Sequence, residues 1–317
     1  MRRFSLHSET SRATCAFGGR RPRLLIIGCG DVGLRVLKLL AGRWMVYALS
    51  SSPERFPLLR EAGATPIQGN LDDPASLRRL AGLADYVLHL APPQPQGEDD
   101  RRTRHLLRAL SRGPLPQALV YGSTTGVYGD CQGELFDETR ALRPATARAR
   151  RRVDAETCLR DFGRRTGVRV SLLRIPGIYA WNREGGHPRE RLLRGSPVLQ
   201  ASDDVYTNHI HADDLARACM LALLRAGPQR AVHVCDDAQW PMGDYFDLAA
   251  DLLDLPRPSR ISRAEAAQHF SPMQLSFLGE SRRLSNRRLK RELRLALRYP
   301  TPAEGLMAGA PRQPAMD

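Results

Sequence analysis

The sequence predicts an α/β fold, a doubly wound parallel sheet followed by a smaller, mainly helical C-terminal lobe, and three observations carry that reading. A short apolar run at residues 24–27 feeds directly into Gly28-x-Gly30-x-x-Gly33. Strand-like runs then recur, separated by helical patterns, at 45–49, 64–68, 86–90, 118–121 and 168–174. After Pro176 the alternation stops, and a loop-rich stretch with Gly185, Gly186, Pro188, Gly195 and Pro197 leads through one more helix and strand into a helical tail. Alternation of this kind implies parallel β-α-β units.

Residues 24–27 read as a buried parallel strand, and apolar residues from Val32 to Leu40 recur at the three-to-four spacing of a helix packed on a sheet. Between them each glycine has its own task. Gly28 permits the tight turn, Gly30 lets the backbone approach a pyrophosphate, and Gly33 brings the helix close to the strand. The amides of Cys29, Asp31 and Val32 and the helix dipole then face the phosphates, as in a Rossmann-type dinucleotide site.

The second strand ends in Ser50, Ser51 and Ser52, with no acid to grip a ribose 2′-hydroxyl. Three hydroxyl residues followed by Arg55 suit a 2′-phosphate, which leans the cofactor, NAD or NADP, towards NADP. Ser52 also stands where it would cap a helix starting at Pro53. Ligands in such sheets lie beyond the carboxyl ends of the strands, which directs attention to residues 69–71, 91–93, 123–125 and 175–179.

A chain of 317 residues buries a full core. No apolar stretch approaches the roughly 18 residues of a spanning helix, which excludes a membrane protein of that kind. The net charge of +14 rests almost wholly on arginine, Lys38 and Lys290 being the only lysines. Arginine is scattered among acids rather than gathered in a stripe with aromatics, which argues against a nucleic-acid surface. The local exceptions, 148–152 and 282–298, are candidate anion sites. The six cysteines show neither a C-x-x-C pair nor histidines at metal spacing, so a metal site and disulfides are not expected and the cytoplasm is the expected compartment. Residues 1–22, basic with Glu9 as their only acid, read as a disordered leader, and 310–317 as a frayed tail. The dinucleotide domain is assigned to 23–175 plus about 207–238, and the lobe to about 176–206 plus 239–309.

Taken together, GCGDVG, QGNLDD at 68–73, VLHLAPP at 87–93, STTGVYGD at 123–130, LRIPGIY at 173–179, HIHADDLA at 209–216, and SNRRLKRELR followed by YPT at 299–301 resemble the extended short-chain dehydrogenase/reductase superfamily, in particular its NAD-dependent epimerase/dehydratase-like members. The resemblance spans about residues 23–306. It implies a nicotinamide cofactor contacted by Gly28, Cys29, Gly30, Asp31, Val32, Gly33, Ser50, Ser51, Arg55, Asn70, Leu71, Leu90, Ala91, Pro92 and Pro176, and a terminal helix and last strand in the lobe. It further implies oxidation, reduction or epimerisation of a small carbonyl or sugar-like substrate, with Thr124, beside Ser123, on the hydroxyl-bearing loop.

The departures are as informative as the matches. In the family a tyrosine and a lysine four residues later exchange the proton. Aligning Pro144, Thr146, Ala155 and Glu156 puts Arg148 and Arg152 at those two positions, and arginine stays protonated and cannot act as acid or base. A substitute phenol would be Tyr128, Tyr179 or Tyr206. Arg148 and Arg152 would instead hold a carboxylate or phosphate or lie on a solvated face, with Tyr206 and Asn208 facing the substrate. His209, His211, Asp213 and Asp214 read as a helix cap and brace rather than a metal site, with an aspartate as the cap. The lost pair leaves a second reading open, a nicotinamide sensor or interaction protein without turnover. A homodimer through the helix at 146–165 also stays open, its arginines opposing it unless Asp154, Glu156 and Asp161 interleave.

Overall fold

Apolar residues on both faces of each strand demand cover on both sides, and the computed structural model, which describes residues 20–311, supplies it. Seven parallel strands, β1 (Arg23–Ile27), β2 (Met45–Ser50), β3 (Thr65–Gln68), β4 (Tyr86–His89), β5 (Ala118–Thr124), β6 (Arg169–Ile175) and β7 (Arg230–His233), lie in the order 7-6-5-4-1-2-3. Leu24 and Ile26 face one core, shared with helices α1 (Asp31–Leu40) and α4 (Ala212–Arg225). Leu25 and Ile27 face the other, shared with α2 (Arg101–Leu110) and α3 (Ala147–Thr166). The chain leaves β1 towards β2 and β3, then returns to β4 on the opposite side. The connections therefore diverge between β1 and β4, and a crevice opens at their carboxyl ends.

Several boundaries differ from the sequence reading. Strand β5 runs on to Thr124, because Gly122, Ser123 and Thr124 keep their register with Leu173, Arg174 and Ile175. The last strand begins at Arg230 and lies at the sheet edge, where Arg230 is tolerated by pairing with Glu292 at 2.5 Å. After Pro53 a 3-10 turn (Pro53–Arg55) precedes a short helix (Phe56–Glu61). Ser52 stands at the cap position but its side chain does not cap; its amide donates to the Ser50 hydroxyl at 3.2 Å instead. No strand forms at Tyr299 to Thr301. The amides of Arg298 and Tyr299 turn inward to buried Asp214, at 2.8 and 3.0 Å, and Thr301 opens the short helix Pro302–Gly305 through a capping box with Glu304. The leader falls outside the described residues except at its end, where the Pro22 carbonyl already accepts from Met45; of the tail, only 310 and 311 are described.

The lobe is built from small pieces. Residues Val198–Leu199 pair with Arg260–Ile261, and Tyr206–Thr207 with Trp240–Pro241. Helix α5 (Met242–Leu252) contributes Tyr245, Phe246, Ala249 and Ala250 to a core with Leu192, Val198 and Leu306. No helix of the described residues is long and apolar enough to cross a membrane.

The sheet and α3 are joined by one buried ion pair. Arg174, on β6, donates to both carboxylate oxygens of Glu156, on α3, at 3.2 and 2.7 Å, and the two side chains are 3% and 2% exposed. Breaking one partner of such a pair strands a charge, which costs about 3–5 kcal/mol. Glu156→Ala should lower the unfolding free energy by about that amount in urea titrations; a loss below about 1 kcal/mol would show the pair to be dispensable.

Candidate functional site

The glycine turn closes against the end of β4. Gly28 has φ +80°, and a Cβ there would stand 2.5 Å from the Ala91 nitrogen, so both backbone shape and space require glycine. A Cβ on Gly33 would meet the Cys29 sulfur at 2.9 Å, the close helix-to-strand packing expected of the third glycine. Gly30 is different: nothing lies within 4 Å of its Cβ position, which leaves that face of the turn open. Burial pushes the Cys29 thiol up to about 11, and all five described cysteines are free thiols.

A groove of about 190 Å³ runs from this turn along the ends of β1 to β3. It brings together Gly28, Cys29, Ser50, Ser51, Arg55, Asn70, Leu71 and Ala91 of the expected cofactor residues, and adds Ser52 and Arg102. Arg55 donates to the Cys29 carbonyl at 2.8 Å, which seats its guanidinium against the glycine turn. The Asn70 side-chain oxygen is taken up by the Asp72 amide at 2.9 Å, leaving its NH₂ as the group on offer. Leu90 and Pro92 flank the groove without lining it; the Leu90 amide donates to Ile27 and the Pro92 carbonyl accepts from Arg102. Asp31 opens helix α1 with two ion pairs, to Arg35 at 3.1 Å and to Arg183 at 2.7 Å. Partial burial opposes ionisation, yet hydrogen bonds from those arginines hold its carboxyl below the usual range.

A second cavity, about 670 Å³, opens between the carboxyl end of the sheet and the lobe. Thr124, Pro176, Tyr179, Arg148, Arg152, Tyr206 and Asn208 all line it. Their chemistry differs from expectation at several points. Thr124 caps the 3-10 turn Thr125–Tyr128 by accepting from the Gly126 amide at 3.3 Å, which leaves its hydroxyl proton to donate. Ser123 is buried on the opposite face and donates to Glu156 at 2.6 Å, so it braces the strand rather than meeting a substrate. Tyr179 is buried, its hydroxyl 3.4 Å from the Thr301 carbonyl, and burial raises its phenol far above the ordinary value. It is no ready proton donor.

Tyr128 is spent as well. Its hydroxyl accepts from Arg174 at 2.5 Å and faces Nε2 of His233 at 2.6 Å. Burial pushes the phenol up to about 12 and the imidazole down to about 3, so His233 is neutral; with Nδ1 bonded to the Ser285 carbonyl, the phenol donates and the imidazole accepts. Asn208 lines the cavity, but its amide is committed to the Arg282 carbonyl and the Leu284 amide. Arg152 donates from one nitrogen to the Tyr121 hydroxyl and the Gly122 carbonyl, both at 2.8 Å. Arg148 stacks on the Phe277 ring at 4.6 Å. Of the three phenols, Tyr206 alone lines the cavity with no hydrogen bond to its hydroxyl among the described residues.

The histidine and aspartate run does brace a helix, through other atoms than expected. His211, not an aspartate, caps α4 by accepting from the Asp213 amide at 3.2 Å. Asp213 pairs with Arg35 at 2.5 Å, and Asp214 holds the two backbone amides after residue 297. His209 turns to the large cavity, stacked on Tyr245 with centroids 3.9 Å apart. Sequence reasoning missed Arg191, Tyr245 and Phe277, which reach this cavity from elements far apart in the chain, and Arg282 joins them from the 282–298 stretch.

The sheet order, the glycine turn and the groove beside it define a Rossmann-type dinucleotide-binding fold with a smaller C-terminal lobe. The profile of the NAD dependent epimerase/dehydratase family matches residues 24–235, and the chain belongs to that family. Membership makes NAD or NADP the cofactor of the site. Protein YeeZ of Escherichia coli K12 is 23% identical over 289 residues, 88% of this chain and 97% of that one. A conserved protein of unknown function from Silicibacter pomeroyi DSS is similar at 29% identity and TM-score 0.76, over 90% of this chain and 97% of its own. UDP-glucose 4-epimerase of Thermotoga maritima, solved with UDP-glucose, shares the fold at TM-score 0.72 and 19% identity, over 90% and 96% of the chains.

Gly30→Ala tests the groove directly. Its Cβ has room in the protein but intrudes where phosphate approaches, so the melting temperature should stay within a few degrees while cofactor affinity falls at least about tenfold by calorimetry.

Proposed function

We propose that this protein carries out nicotinamide-dependent redox or epimerase/dehydratase-like chemistry on a small carbonyl or sugar-like substrate. One observation carries the reading: Thr124 and Pro176, at the carboxyl ends of β5 and β6, line the same cavity as the lobe residues Tyr206 and Tyr245. A substrate held by the lobe therefore sits against the end of the sheet. The bound cofactor would supply or accept a hydride. Thr124, its lone pair taken by the Gly126 amide, donates its hydroxyl proton to a substrate oxygen and orients it. Tyr206 is the phenol that exchanges the proton, since Tyr128 and Tyr179 are engaged elsewhere. Arg148 and Arg152 replace the family's tyrosine and lysine in position but serve charge and shape rather than proton transfer.

Ser51, Ser52 and Arg55 in one groove, with no acid after β2, support NADP as the preferred cofactor. Five free, mostly buried thiols suit a reducing compartment, the cytoplasm. The commitment of two phenols and Arg152 to structural bonds favours one rival, a cofactor sensor without turnover. A sensor would separate the reduced from the oxidised cofactor by affinity and turn over no substrate in a screen of alcohols, ketones and sugars.

Two variants test the reading. Thr124→Ala should lower turnover about a hundredfold, the scale of one lost oxyanion donor, with cofactor affinity unchanged; unaltered turnover would remove Thr124 from the chemistry. Arg55→Ala should weaken NADPH binding about tenfold or more while NADH changes less than about twofold, the difference a charged contact to a 2′-phosphate makes.

A further inference from the structure

The large cavity is lined by Arg148, Arg152, Arg191, Arg194 and Arg282 against only Glu190 and Glu280. Arg282 already holds Glu280 at 2.6 Å, so the balance facing a ligand is strongly positive. Elsewhere this protein commonly pairs its arginines, as in Arg23 with Asp85, Arg104 with Asp154 and Arg230 with Glu292. Arg191 is treated otherwise. It lies on the short helix Arg189–Leu193 of the lobe, half-buried, with its guanidinium 4.3 Å from the Phe246 centroid and 5.7 Å from that of Phe270. Its hydrogen bonding is a single long contact, 3.5 Å, to the Pro197 carbonyl, and its Nε is buried with no partner. No carboxylate lies within 4 Å of it among the described residues. Burial lowers its pKa, and neighbouring Arg194 lowers it further.

A guanidinium taken out of water onto an apolar bed, with no anion to answer it, is costly unless something else brings the anion. The ring faces offset part of that cost but leave the N–H edge unsatisfied. Arg148 repeats the arrangement from the sheet side: it sits in the first turn of α3, over the Phe277 ring, again with no carboxylate within 4 Å. Two cations from the two halves of the molecule thus line one cavity, whose wall also offers apolar and aromatic side chains, among them Ile178, Met242 and Tyr245.

We propose that the substrate of this site is a small acid, its carboxylate or phosphate bound by Arg191 from the lobe and Arg148 from helix α3, with its carbon skeleton on the aromatic and aliphatic wall. This rests on the proposed function and names its substrate class. The charged end fixes the substrate's direction, so that the reacting carbon is presented to Thr124 while the proton traffic is left to other groups.

The test is calorimetric titration of the full-length protein, saturated with NADPH, with inorganic phosphate and with malonate, against sodium chloride and galactose at matched ionic strength. Saturable binding of phosphate or malonate is expected, with chloride and galactose silent. The stronger of the two probes separates a phosphate-bearing from a carboxylate-bearing substrate. Arg191→Met, which keeps the packing on Phe246 and removes the charge, should weaken that binding at least tenfold with NADPH affinity unchanged, the latter serving as the control for folding. Arg148→Met should weaken it as well. Anions that bind no better than chloride, or equally well to the Arg191→Met protein, overturn the inference, as does preferential binding of galactose. Failure of NADPH itself to bind would overturn the proposed function instead, and anion binding by the cofactor-free protein would still report on Arg191.

Discussion

The buried ion pair of Arg174 with Glu156 governs the working end of this molecule. Three elements meet there: β6 contributes the arginine, α3 the glutamate, and β5 sends Ser123 to the same carboxylate. Because side chains alternate along a strand, fixing Ser123 on the α3 side obliges Thr124 to face the other way, into the large cavity. The same arginine holds the Tyr128 hydroxyl, which passes its proton's bond on to His233 and so ties the turn after Thr124 to β7. With every donor and acceptor in that chain matched, the network specifies one arrangement of the loop.

The charge of the chain becomes intelligible in the same terms. An excess of arginine over acids looks, from composition, like an invitation to polyanions. In the fold much of it is absorbed locally, by acids and by the exposed carbonyls where helices end: Arg169 donates to the Leu223 and Ala226 carbonyls at the end of α4, and Arg225 to that of Leu293. Planar guanidinium groups suit this work, since one side chain can satisfy two carbonyls at once. Of the arginines with no acid partner among the described residues, Arg55 stands at the groove and Arg148 and Arg191 at the cavity.

Arg152, at the edge of the large cavity, has a structural task. Arg152 does not hang in solvent; it lies across the Tyr121 ring, bonded to that residue's hydroxyl and to the Gly122 carbonyl. It thus locks α3 to β5 just before the hydroxyl loop. Arg152 is thereby part of the frame that holds Thr124.

Much of this was legible in the sequence, and the reason is local. The positive φ of Gly28 and the packing of Gly33 on Cys29 are constraints within a few residues, so motif and geometry coincide there. The strands showed themselves because a doubly covered sheet needs unbroken apolar runs. What spacing could not say is where a side chain spends its hydrogen bonds. Tyr179, Tyr128, Ser123 and Asn208 all stand at the right positions along the chain. Yet their partners, Thr301, His233, Glu156 and Leu284, come from 122, 105, 33 and 76 residues away. The sequence by itself determined the fold and the glycine turn, because these follow from neighbours in the chain. Only the tertiary structure decided which hydroxyl is free, which arginine lacks an anion and what the cavity demands of its ligand, because those depend on contacts that long loops bring together.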